Sequence, residues 1–102
     1  MATAVINGRE MHTTFWQDFS IADRFGIAAV KDTYKRAFDE WSYDVEYMGE
    51  FVAVLNWKIW QHWENGREKL ARVYNDLWQQ ADAWCVENYT GDDARRYWEL
   101  TD

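Results

Sequence analysis

The chain has 102 residues, a formal net charge of −7 from eighteen acids against eleven Lys and Arg, and nineteen aromatics, eight of them Trp. A polyanion repels phosphate backbones, whose affinity for proteins comes mainly from Lys and Arg, so direct nucleic-acid binding is not expected. One cysteine, Cys85, excludes an intramolecular disulfide and fits a reducing cytoplasm; the longest strictly apolar run, Phe51–Leu55, is far short of a membrane span.

The first ten residues lack the basic start and apolar core of a signal peptide, so an intracellular location is expected. Asn7-Gly8, between short apolar-containing flanks, is a hairpin signal; the alternative for residues 1–12 is an N-terminal arm. Thr14-Phe-Trp-Gln17 matches a capping box and predicts a helix from Thr14 through about Arg24, closed by Gly26 as a left-handed cap. Ile27, Val30, Tyr34, Phe38 and Trp41 then recur at three- and four-residue steps, the stripe of a second helix. Its polar side pairs Asp32 with Arg36 and Lys35 with Asp39.

Residues 42–47 break the period. Asp44, Glu46 and Glu50 sit where a third helix should begin and would complement its positive end. That helix carries Phe51, Val52, Leu55, Ile59 and Trp63, with Trp57 and Trp60 as a second face, so it is apolar around most of its girth. Such a helix is central or meets a partner. Asn65-Gly-Arg-Glu68 reads as the N-terminal cap of a fourth helix with a seam of Leu70, Tyr74, Leu77, Ala81, Trp84 and Asn88. Thr90-Gly-Asp-Asp93 closes it and opens a short fifth helix. The fold class is mainly α: one domain over 1–102, a small bundle of four to five helices with short loops.

Catalytic chemistry is sparse. His62-Trp-Glu64 has the His-x-Glu form of zinc deaminases, but the Pro-Cys-x-x-Cys that must follow is absent. His62 is therefore expected on the surface or partly packed. Cys85 has no base or cationic neighbour in sequence and reads as a small buried hydrophobe. No phosphate loop, nucleophile elbow or metal-ligand set occurs, so no catalytic, cofactor or metal site is assigned. Three Trp residues at steps of three cannot all face one seam, so at least one of Trp57, Trp60 and Trp63 should meet another chain or a loop. A second acidic group, with Asp92, Asp93 and Glu99, is solvated surface in the simplest reading. Joined to Asp44, Glu46 and Glu50, it would instead make an anionic face that imitates phosphate.

Thr14-Phe-Trp-Gln-Asp-Phe-Ser-Ile-Ala-Asp-Arg-Phe-Gly26, Val30-Lys-Asp-Thr-Tyr-Lys-Arg-Ala-Phe38, Val54-Leu-Asn-Trp-Lys-Ile-Trp60 and the terminal Thr101-Asp102 resemble a family of small acidic proteins encoded on phages and integrative elements of Gram-positive gut bacteria. The resemblance implies a mobile-element context, in which small acidic proteins often inhibit host machinery; it carries no site residues. The expectation is a non-enzymatic inhibitor of a basic, nucleic-acid-handling bacterial protein, of the anti-CRISPR or other anti-defence type. Such a partner includes a CRISPR effector, whose channel is positively charged. Asp44, Glu46, Glu50, Trp57, Trp60, Asp92, Asp93 and Glu99 are its candidate partner-binding residues. The alternative is an assembly protein that forms a homodimer or larger homo-oligomer through its surplus aromatics.

Overall fold

The protein is described by a computed structural model covering the backbone of residues 3–6 and 9–101, with side chains from Thr14 to Thr101. Five helices follow one another: α1 (Thr13–Phe25), α2 (Ile27–Trp41), α3 (Val45–Glu64), α4 (Glu68–Asn88) and α5 (Gly91–Thr101). Before them, β1 (Thr3–Ile6) and β2 (Arg9–His12) run antiparallel with Ile6 opposite Arg9. Asn7 and Gly8, on which the hairpin reading rests, lie outside the described residues.

The bundle is built around α3, which packs on all four other helices. Met48, Phe51, Val52, Val54 and Leu55 are buried along it. Around them close Phe15 and Phe19 of α1, Val30 of α2, Tyr74, Leu77, Ala81 and Cys85 of α4, and Tyr97 of α5. Much of the aromatic load is spent inside this core as edge-to-face pairs: Phe15–Phe51 at 5.4 Å, Phe19–Tyr74 at 5.5 Å and Phe38–Trp84 at 5.1 Å. Each such pair adds about 0.5–1.5 kcal/mol beyond the area it buries. The remainder stays outside, with Phe25, Tyr43, Trp60, Trp63 and Trp98 all more than half exposed.

Helix ends correct two of the sequence expectations. Gly26 has φ 112° and ψ −175°, outside the left-handed helical region, and serves as the N-cap of α2. That conformation is open only to glycine and lets α2 leave α1 after a single residue. Asn65-Gly66 does not open α4. It closes α3 as a Schellman motif, Gly66 N–H donating to the Trp63 carbonyl (3.2 Å) and Arg67 N–H to that of His62 (2.8 Å), with Gly66 at φ 73°. The α4 seam also shifts: Ala71, Tyr74, Leu77, Ala81 and Cys85 are buried, whereas Leu70 and Trp84 are half-buried and Asn88 is exposed. Of the two ion pairs expected along α2, Asp32–Arg36 closes at 3.2 Å and Lys35–Asp39 does not form; between exposed groups a pair contributes at most about 1 kcal/mol.

One close approach fixes α5. Gly49 is buried in α3 against Leu100, and a Cβ there would fall 2.5–2.6 Å from the Leu100 side chain. Only glycine allows the two helices to meet at this distance.

Candidate functional site

The acidic residues singled out in sequence come together from two segments about fifty residues apart. Asp44 is the N-cap of α3; its carboxylate accepts the N–H groups of Glu46 (3.0 Å) and Tyr47 (3.4 Å). Glu46, in the first turn of the helix, takes a two-pronged contact from Arg96 of α5, Nε at 2.6 Å and Nη2 at 2.9 Å. The same guanidinium reaches Glu99 at 3.2 Å. This contact holds the Glu46 carboxyl below the usual carboxylate range. Asp44 and Asp93 both lie close enough to Tyr89 to oppose ionisation of its hydroxyl, which burial already disfavours. Asp92 and Asp93 occupy the exposed first turn of α5. Glu50 is half-buried on α3. Tyr43, 77% exposed, precedes the cap, and Trp98, 67% exposed, precedes Glu99.

The candidate Trp residues are elsewhere. Trp57 and Trp60 follow Glu46 by eleven and fourteen positions, roughly 16–21 Å further along α3 at 1.5 Å per residue. Trp57 is half-buried against Trp16, ring centres 6.3 Å apart. Trp60 and Trp63 face outward beside a groove lined by Ile59, Ala71 and Asn75. Of the eight candidates, Asp44, Glu46, Asp93 and Glu99 are brought together, whereas Trp57 and Trp60 lie apart from them along α3.

A third site escaped sequence reasoning. Lys58, which the sequence did not single out, and His62, expected on the surface or partly packed, are both buried, at 1% and 2% exposure. They converge on Asp23 of α1. Lys58 Nζ donates to Asp23 Oδ2 (3.0 Å), Ser20 Oγ (2.8 Å) and Gln61 Oε1 (2.9 Å), which uses all three of its protons. Its ammonium also lies 4.1 Å from the centre of the Trp16 ring. His62 Nε2 is 2.9 Å from Asp23 Oδ2, and Tyr74 OH donates to Asp23 Oδ1 at 2.6 Å. Arg67 Nε donates to His62 Nδ1 at 2.8 Å. A guanidinium only donates, so Nδ1 is the acceptor and the proton of His62 sits on Nε2, directed at Asp23. His62 is thus neutral, in keeping with burial lowering its pKa against the opposing pull of Asp23. Burial likewise lowers the pKa of Lys58.

The missed signal was in the sequence. On α3 the buried stripe runs Met48, Phe51, Leu55, and its next steps are Lys58 and His62. Two polar residues on a buried stripe require a buried partner, though not one that identifies Asp23. Cys85 is a buried hydrophobe as expected, its thiol pushed up to about 12 by burial. Among the described residues no group of three or more His, Cys, Asp or Glu is placed to hold a metal ion, and no helix is long and apolar enough to cross a membrane. Compared with protein-family models, with curated proteins and with solved structures, the chain matches none.

Proposed function

We propose that the protein is a non-enzymatic inhibitor that covers a basic, nucleic-acid-handling surface of a bacterial protein, of the anti-CRISPR or other anti-defence kind. The observation that carries this reading is the convergence of Asp44 and Glu46 with Asp93 and Glu99 at the α3–α5 junction, with Asp92 next to Asp93 in the first turn of α5. Two short acidic segments thereby become one anionic surface, flanked by exposed Tyr43 and Trp98. Charge of this kind steers encounter with a cationic surface, and exposed aromatics supply anchors once contact is made. The test is capture from a lysate of a Gram-positive host on the immobilised protein, followed by washing with duplex DNA. Retention of basic nucleic-acid-binding proteins that DNA displaces supports the proposal. Retention unaffected by DNA, or lost equally from a variant with Trp60 and Trp63 replaced by Ala but not from D92N/D93N, overturns it.

A second reading, self-assembly, draws on Trp60 and Trp63, 57% and 54% exposed beside the α3–α4 groove. Sedimentation across a hundredfold concentration range separates the two, since only an assembly protein gains mass with concentration.

A further inference from the structure

The cleft above Asp23 is cationic in a protein that is otherwise acidic. Its floor is Lys58 and His62, and its mouth carries Arg24 from the end of α1 and Arg67 from the start of α4. Among the described residues Asp23 is the only acid that lines it, and Asp23 is already balanced by Lys58. With His62 neutral, the two arginines leave an excess of two positive charges. The C-terminal ends of α1 and α3 and the N-terminal end of α4 meet here; at about half a charge each they sum to roughly −0.5 and leave most of that excess standing. Glu68, the next acid along α4, is engaged by Arg72.

We infer that this cleft binds a phosphate monoester or free phosphate, held between the guanidinium groups of Arg24 and Arg67 above the Lys58–Asp23 pair. Arg24 has no hydrogen-bonding or ionic partner among the described residues. Arg67 uses only Nε, toward His62, and its two terminal nitrogens remain available. That single bond restrains the guanidinium, so little freedom is lost when the fork grips an anion. The charge count selects the ligand class. A phosphate monoester carries about −1.5 to −2 near neutral pH and matches the excess, whereas a carboxylate or a phosphodiester supplies one charge.

The His62 ring is a built-in reporter. Titration with inorganic phosphate at pH 7.5, followed by nitrogen–proton correlation of that imidazole at constant ionic strength, should give a saturable shift. Replacing Arg24 by Gln removes one charge-assisted contact without touching the core and should weaken binding about tenfold or more. R95Q, on α5 and outside the cleft lining, should leave binding within about twofold, because it tests general charge alone. R67Q should weaken binding comparably, with circular dichroism confirming that the bundle is folded. Acetate and dimethyl phosphate should bind at least about tenfold more weakly than phosphate. Glycerol 3-phosphate distinguishes sources: tighter binding than phosphate supports the site with a phosphorylated metabolite as its ligand, and equal binding supports it with free phosphate. The inference is overturned if phosphate gives no saturable shift at His62, if R24Q and R95Q weaken it equally, or if acetate binds as tightly as phosphate.

Discussion

Replacing Asp23 by Asn keeps the size of the side chain and removes the only negative charge that Lys58 touches. In the native protein Asp23 receives Lys58, His62 and Tyr74 at 2.6–3.0 Å, and Lys58 is 1% exposed. Removing one partner of a buried ion pair leaves an uncompensated charge and costs about 3–5 kcal/mol. A domain of this size loses roughly 4–8 °C per kcal/mol, so the melting temperature should fall by roughly 12–40 °C. The loss should also become pH-dependent. With Asp23 gone, nothing opposes the desolvation that already lowers the Lys58 pKa, and the folded state sheds that proton before the unfolded chain does. Between the two pKa values the unfolded chain binds more protons, so the stability of D23N rises as pH rises toward the unfolded Lys value near 10.4. Urea unfolding of wild type, D23N, K58M and D23N/K58M between pH 7 and 10 measures all of this. The double variant carries neither charge and should recover at least about 2 kcal/mol over the sum of the single losses. A D23N cost under about 1 kcal/mol, or additive single variants, would refute the buried network.

Three further outcomes follow from the same coordinates. Because burial lowers the His62 pKa in the fold, the unfolded chain takes up that proton first as pH falls. Stability present above pH 6.5 should therefore decline below it, by up to about 1.4 kcal/mol per pH unit, and urea midpoints for wild type and H62Q should converge as that loss proceeds. Gly49→Ala should destabilise by about 1–3 kcal/mol through its clash with Leu100, and L100A should recover part of that loss in the double variant. Asp44→Ala should cost about 0.5–2 kcal/mol because its carboxylate caps α3; a binding assay that neutralises Asp44 therefore confounds charge with stability, and Asp92 and Asp93 are the cleaner substitutions.

The helices are legible from the apolar stripes of α2, α3 and α4 and from the capping signals that open α1 and α5, and α3, apolar on two faces, reads as central or partner-facing. Asn65-Gly66 was misread because Asn serves both ends of a helix; only the positive φ of Gly66 and the bond from Arg67 N–H to His62 assign it to the end of α3. The polar network was hidden by distance. Asp23 is thirty-five or more residues from Lys58, His62 and Tyr74, and no local pattern selects it among eighteen acids. The joining of the two acidic segments is one of two readings that the sequence offers, and what decides between them, α5 packing against Gly49, has no local pattern.

The central claim, that the α3–α5 acidic surface recognises a cationic partner, is tested most directly by association kinetics with the captured protein. Steering acts on encounter, while anchoring contacts govern dissociation. D92N/D93N/E99Q should lower the association rate at low salt by about tenfold or more and flatten its salt dependence, with the dissociation rate within about twofold of wild type. An unchanged association rate at low salt would contradict the account and transfer the interface to Trp60 and Trp63.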